Sequence, residues 1–324
     1  MPNTPAPLAP TLGAAFRVGD ALEAGHSRGR MLASDLERPF RGARRRRERT
    51  PPPDDEPLSR DRAERERVLR EARAYLTVAP RGAFLAGRSA AVALALPCDA
   101  GPDLCVGVLA PARGPRAHGI HGMKLSPWLT SIGSVGGVPV TSPATTWAML
   151  SGEVEHDELV AMGDAIVRVP RDDRGRPQAA LRLGTVEQLL TAALAPHRRG
   201  RARLLDALAD IRVGSMSVLE TDYRLLAGRA GLPEPVLDVE IRSASGALIG
   251  IADAVYPAYS TLVEIEGDHH RTSRQQWQRD IAKHAAYVAA GWEVVRVTSG
   301  DIRGYRPRAA EIVAAVLRRH GWAG

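Results

Sequence analysis

Residues 249–270 read IGIADAVYPAYSTLVEIEGDHH, and the rest of the chain is organised around them. Ile249–Ala254 alternate loosely with small residues. Tyr256-Pro257-Ala258-Tyr259-Ser260 carry turn chemistry. Thr261–Ile265 form a second β-prone run that stops at Gly267. A hairpin of this length lays the two runs side by side, which brings Asp253 near Glu264. Side chains alternate along a strand, so Glu264 and Glu266 share a face. Three carboxylates are then expected in one small volume, with Asp268, His269 and His270 just beyond.

Like charges held that close raise one another's pKa unless a cation lies between them. Hard oxygen ligands suit Mg²⁺ or Mn²⁺. A cation so held activates water and stabilises charge on phosphate oxygens. For an isolated E-x-E the plainer reading is an exposed hairpin with solvated acids. The neighbouring sequence favours the site. Thr272-Ser273-Arg274-Gln275 reads as a helix start with a capping box. Ile281, His284, Ala285 and Val288 recur at helical spacing up to Ala290, and Gly291 stops the helix. Trp292–Thr298 is a predicted strand whose tryptophan faces the core. Asp301 opens a last helix that runs to Arg319. Upstream, Ser217-Val218-Leu219-Glu220 begins a helix that ends near Gly231-Leu232-Pro233, and Pro235–Ile241 is another strand.

This C-terminal third resembles the PD-(D/E)XK nuclease-like domains related to very-short-patch repair (Vsr) endonucleases. The resemblance is carried by Glu220, Gly231–Pro235, Asp253, Val263-Glu264-Ile265-Glu266-Gly267 with His270, Asp280 with Lys283, Gly291-Trp292, and Arg296-Val297-Thr298. It implies a mixed sheet flanked by helices and a metal held by Asp253, Glu264 and the backbone carbonyl of Ile265. It puts Glu220 across the site in support of metal or water, and makes His270 a general base or phosphate contact. Glu266 stands where the superfamily has its lysine, which leaves open the cation that orients the attacking water. Lys283 is a candidate for that charge, although an ion pair with Asp280 explains it equally well. Arg296 is expected to meet phosphate or one of the acids, and His269 to lie at the surface.

The chain has 324 residues, 44% hydrophobic, a net charge of +7 and a pI near 10.0. That length suggests two or three domains. The arginine-rich charge is compatible with nucleic acid, as it is with GC-rich coding. Cys98 and Cys105 fit neither a metal motif nor a disulfide framework, which points to a reducing compartment. No basic-then-apolar leader and no long apolar run is present, so a soluble, cytoplasmic protein without a membrane partner is expected. Neither a P-loop nor a dinucleotide-binding glycine motif appears, which excludes nucleotide-driven chemistry of those kinds.

Phe16–Gly25 reads as a short helix and Met31–Glu37 as a second, joined by His26–Arg30. Such a pair either enters a DNA groove or only packs on the next domain. Its position resembles the reduced winged-helix start of AbiEi-like antitoxin proteins. Arg44, Arg45, Arg46 and Arg47 form a basic run in a segment expected to be flexible. The run either binds phosphate without sequence preference or belongs to a solvated linker. Further predicted elements are a helix over Arg60–Tyr75, a small helix beginning at Phe84, strands over Cys105–Leu109 and Val135–Thr141, and helices over Pro143–Leu150 and Asp157–Val167. The Gly-x-Pro-Val-Thr-Ser-Pro stretch over 137–143 also resembles AbiEi-like proteins. Thr185–Leu194 and Arg199–Leu208 are helices flanking a basic group that includes Arg198 and Arg199; it either lines a DNA path or forms a solvated face. His118, His121 and His156 are read as surface residues.

The expected fold is α/β: a C-terminal restriction-endonuclease-like mixed sheet (213–324), an α+β middle region (51–212), and a winged-helix-like N-terminus (1–50). The expected function is Mg²⁺- or Mn²⁺-dependent cleavage or nicking of DNA. The alternative is a DNA-binding regulator or antitoxin-like module that uses a nuclease fold only to bind.

Overall fold

Strand-forming runs build three separate sheets in the computed structural model, which describes residues 5–47, 59–267 and 274–324. The chain divides into two compact units, residues 1–150 with 195–198, and residues 151–194 with 199–324. A boundary expected at 212/213 therefore falls inside the second unit. The reason is that the helix over His156–Val167 packs against the helix over Val218–Arg229.

In the first unit, β1 (Ala15–Arg17) leads into α1 (Val18–Glu23), followed by β2 (Leu36–Glu37) and β3 (Ala43–Arg46). These strands form a small antiparallel sheet in the order β1-β3-β2. The expected second helix over Met31–Glu37 is absent; a single 3₁₀ turn at Arg30–Leu32 and strand β2 replace it. Pro39 follows too closely for a helix to propagate, and the strand geometry buries Leu36 with Phe16 and Met31. Nor is the arginine run a flexible segment. Arg44 Nε donates to Met31 O at 2.7 Å, Arg45 Nε to Glu37 at 2.8 Å, and Arg46 to Leu12 O at 3.3 Å. Arg47 is exposed at the strand's end.

Next come α2 (Ser59–Leu76), β4 (Phe84–Leu85), α3 (Gly87–Ala93), β5 (Leu104–Leu109), β6 (Ile120–Leu125), β7 (Ile132–Val135), β8 (Val138–Thr141) and α4 (Pro143–Leu150). Their sheet has the order β6-β5-β4-β8-β7. The stretch expected to be one strand over Val135–Thr141 is the end of a hairpin. Gly136 and Gly137 both have positive φ, which is what a two-residue hairpin turn requires.

In the second unit, α5 (His156–Val167), α6 (Val186–Leu194) and α7 (Arg201–Asp210) precede α8 (Val218–Arg229). Then follow β9 (Val236–Arg242), β10 (Leu248–Tyr256), β11 (Thr261–Glu266), α9 (Arg274–Ala289), β12 (Glu293–Thr298), α10 (Ser299–Arg303) and α11 (Ala309–Arg319). The sheet runs β12-β11-β10-β9. Its first three strands in sequence are antiparallel, and the crossover through α9 makes β12 parallel to β11. One face packs Ala254, Tyr256, Val263 and Val297 against Tyr223, Val313 and Leu317 of α8 and α11. The other packs Ile241, Ala252, Val255 and Leu262 against Tyr287 of α9, with Trp292 partly buried beside them. The single last helix read from sequence is two. Pro307 interrupts it, and a side chain at Gly304 would collide with the carbonyl of Gly300.

α5 is tied to α8 by a buried network. Arg224 donates to Asp164 at 2.9 Å, Thr221 Oγ1 to the same carboxylate at 2.8 Å, and the N–H of Arg212 to its other oxygen at 2.7 Å. Among the described residues, no helix is long and apolar enough to cross a membrane.

Candidate functional site

The β10–β11 ladder pairs Ala254 with Val263 and Tyr256 with Thr261. One step further along the same register puts Asp253 opposite Glu264, as the sequence leads one to expect. Asp253 Oδ2 accepts a 2.7 Å hydrogen bond from the backbone N–H of Ile265. Glu264 lies on the face of Leu262 and points toward α9, where Lys283 Nζ donates to its Oε2 at 2.8 Å. Glu266, on that face, pairs with Arg296 at 3.5 Å. Lys283 and Arg296 thus sit on the acids of the site.

Glu220 arrives from α8, on the opposite side of the sheet. Ser217 Oγ caps the helix by accepting from the Glu220 N–H at 3.2 Å, and the Glu220 carboxylate reaches back to the N–H of Met216 at 2.7 Å. Burial, and then the charge of Asp253, push the Glu220 carboxyl up to about 7. Burial raises Asp253 to about 6; its bond from Ile265 pulls the other way, and Glu264 adds to the rise. Two carboxyls near neutral pKa, with a third beside them, form an acidic centre that one protein cation, Lys283, partly offsets.

Strand geometry is broken at this centre. On β9, Leu237 packs on the α8 face while Val239 and Ile241 pack on the α9 face. On β10, Ala254 takes the first face and Ala252 the second. A regular strand keeps such i, i+2 residues together. The break coincides with Asp238, whose φ is +54°. A non-glycine residue there stores strain of the kind found at functional sites. Arg171, from the loop after α5, holds it: Nε lies 2.9 Å from both Asp238 oxygens, and Nη1 lies 3.1 Å from Glu240.

A cavity of about 260 Å³ opens on the α9 side, lined by Glu264, Glu266, Asp280, Lys283, Tyr287 and Arg296, among others. Two buried polar atoms in its wall, Glu264 Oε1 and Tyr287 Oη, have no hydrogen-bond partner among the described residues. The unsatisfied carboxylate oxygen is the feature that fits a bound cation, since oxygen donors with charge to spare suit Mg²⁺ or Mn²⁺. Among the described residues, no three His, Cys, Asp or Glu side chains form a ready-made metal cluster. A metal here would draw on Asp253, Glu264 and a backbone carbonyl.

No family model, curated protein or solved structure matches this chain.

Asp253, Glu264, Glu266, Lys283, Arg296 and, from the far side, Glu220 gather in this region. His270 and His269 lie outside the described residues. Arg198 donates to the carbonyl of Leu129 at 2.9 Å within the first unit, whereas Arg199 is exposed in the second. His156 does not stand alone at the surface: its Nε2 lies 2.9 Å from Asp210. Sequence reasoning missed Asp238, Arg171 and Tyr287. Ile281 and Val288, two of the residues whose spacing marks the helix, are about half exposed. The face that lines the cavity is Asp280, Lys283, His284 and Tyr287, an i, i+3, i+4, i+7 set that the sequence displays.

Proposed function

We propose that this chain is a metal-dependent DNA endonuclease or nickase that hydrolyses phosphodiester bonds. The observation that carries the reading is Asp253 at a break in the sheet, with Glu264 beside it on the next strand and Glu220 reaching it from α8, and with the Asp253 and Glu220 carboxyls raised toward neutral pKa. Asp253, Glu264 and the carbonyl of Ile265 would hold Mg²⁺ or Mn²⁺, which when bound supplies charge stabilisation to phosphate oxygens and acidifies water. In hydrolysis a water oxygen joins phosphorus, the bond to the leaving oxygen breaks, and that oxygen takes up a proton. A carboxylate beside that water suits accepting the proton it gives up, and Glu220 supports Asp253 from the other face of the sheet. Lys283 offsets the negative charge of Glu264 beside the reacting phosphate. DNA is the polyanion that the basic composition favours.

The test pairs Mn²⁺ titration by calorimetry with nicking of supercoiled plasmid in Mg²⁺, for wild type and Asp253→Ala. Binding and nicking in the wild type, both lost in a variant that keeps its circular dichroism spectrum and DNA affinity, support the reading. Full activity in Asp253→Ala removes it.

One observation favours the second reading, a DNA-binding module without cleavage. Glu264 and Glu266 already have protein cations as partners, and Glu266 occupies the lysine position of the resembled family. Gel shifts by a wild type that binds no Mn²⁺ and nicks nothing would select it.

A further inference from the structure

Tyr287 is the polar side chain that this site buries most completely and for which the reading above has no task. Its ring is 1% exposed and packs among Ile241, Ala252, Val255 and Leu262. Its hydroxyl reaches the cavity wall beside the Glu264 carboxylate; the two interact, but neither the hydroxyl nor Glu264 Oε1 makes a well-formed hydrogen bond among the described residues. The two groups are neighbours: Lys283 Nζ donates to Glu264 at 2.8 Å and lies 5.4 Å from the Tyr287 ring centroid, and all three line the same cavity. Leaving a buried hydroxyl or carboxylate oxygen unsatisfied costs about 1–3 kcal/mol each. A phenol donates and a carboxylate accepts. A small hydroxylic molecule that accepts from the first and donates to the second satisfies both, and water is the smallest that does so.

The backbone is shaped for that hydroxyl. A Cβ at Gly250 of β10 would fall inside contact distance of Tyr287 Oη and within 3.1 Å of Lys283 Cε. Glycine weakens a strand interior and marks places where something approaches the backbone closely; here it is the phenolic oxygen. Lys283 Nζ lies 5.4 Å from the ring centroid, so ammonium, phenol and carboxylate line one wall.

We propose that Tyr287 is the hydrogen-bond donor that positions a water molecule against Glu264, and that this water is the one used in hydrolysis. The inference rests on the hydrolytic reading of the same site. It assigns the orienting task to a neutral donor on α9, where the resembled family uses a lysine at the position of Glu266.

The experiment compares full-length wild type, Tyr287→Phe and Asp253→Ala in two measurements. One is melting temperature without metal. The other is the kcat and KM of plasmid nicking in Mg²⁺. Tyr287→Phe is expected to melt no lower than wild type, because it removes an unpaired buried hydroxyl and keeps the ring. Its kcat is expected to fall about 10–100-fold, the usual scale for losing a group that orients a site, with KM for DNA unchanged. A variant that melts several degrees lower places the hydroxyl in the fold and overturns the inference, as does an unchanged kcat or a loss confined to KM. Wild-type nicking that survives in Tyr287→Phe and is abolished in Asp253→Ala sinks this inference alone. A wild type that nicks nothing sinks the hydrolytic reading and the inference with it.

Discussion

Asp238 and Asp253 face each other across the β9–β10 ladder, since Ala252 pairs with Val239 and Ala254 with Leu237. Two aspartates in directly opposed positions repel. The fold answers with different partners for each: Arg171 for Asp238, and the backbone N–H of Ile265 for Asp253. Arg171 bonds Asp238 directly, whereas the charge of Lys283 acts on Asp253 without a bond; burial, with Glu264 adding to it, raises the Asp253 carboxyl to about 6.

Removing that cation is expected to reach Asp253. In Arg171→Ala the Asp238 charge stands unscreened, and it is already among the influences that raise Asp253. The Asp253 pKa should move further up, and the acid limb of any activity should shift to higher pH. Side-chain carboxyl NMR titration of Asp253 checks the first expectation and a pH–rate profile the second. The variant should also lose about 1–3 kcal/mol of stability, the range for a charged hydrogen-bonded group left without its partner. An unmoved Asp253 titration would show that Arg171 only pins the loop.

Glu220 gives a stability signature. Its carboxyl stands at about 7, against 4.5 for the free group. A carboxyl raised by folding binds its proton more tightly in the native state. Its contribution is therefore fully present below the unfolded pKa and is lost as pH rises through the folded one. Glu220→Gln, which cannot ionise, should gain stability relative to wild type between pH 4.5 and pH 7, by up to ~3 kcal/mol at the alkaline end. Urea denaturation of both proteins at several pH values checks this. A gap that stays constant with pH would mean that Glu220 ionises freely.

The hairpin, the register of Asp253 against Glu264, and the strand–helix–strand crossover were legible because they rest on period-two patterning, Pro257, and the stops at Gly267 and Gly291. The break at Asp238 was not, because nothing local in Val236–Arg242 marks a left-handed aspartate; Arg171, which holds it, lies far off in sequence. Tyr287 was hidden by its neighbours. Ile281 and Val288 are more apolar but about half exposed, while the cavity face carries Asp280, Lys283 and His284 because it borders a polar cavity. Arg44–Arg46 read as a flexible basic segment, either binding phosphate or part of a solvated linker, because a run of charge usually lies in solvent. In the structure their heads bond to backbone carbonyls and to Glu37 around a small strand.

The Asp164–Arg224 pair predicts the cost of losing a buried cation. Both side chains are almost wholly buried, and burial raises the Asp164 pKa despite the nearby guanidinium. Arg224→Met leaves that carboxylate facing the core, which should cost about 3–5 kcal/mol at pH 7. The deficit should shrink as pH falls and Asp164 takes up a proton. Replacing both, Asp164→Leu with Arg224→Met, should recover part of the loss, because the desolvation penalty of the acid goes too. Denaturation midpoints for the three proteins test the order. A double variant no more stable than Arg224→Met would mean that the bonds from Arg212 and Thr221 to Asp164 matter more than the charge.

Gly250 and Tyr287 form a pair whose coupling a double-mutant cycle measures. Gly250→Ala puts a methyl group against the Tyr287 hydroxyl and 3.1 Å from Lys283 Cε. Overpacking of this kind usually costs about 1–3 kcal/mol. Away from such a clash, alanine in a strand is the more favourable residue, because glycine loses more entropy on folding. The sign of Gly250→Ala therefore depends on whether the oxygen atom is there. In a Tyr287→Phe background the methyl group no longer meets the hydroxyl, though it still lies 3.2 Å from the ring carbon Cζ, so the penalty of the same substitution should shrink, with the Lys283 stem shifting to accept it. The coupling energy should then be about 1–2 kcal/mol, within the range found for residues in contact. Thermal or urea unfolding of the four proteins yields it. A Gly250→Ala penalty of equal size in both backgrounds would mean that the clash is with Lys283 or the strand itself, and that the glycine makes room for something other than the phenol.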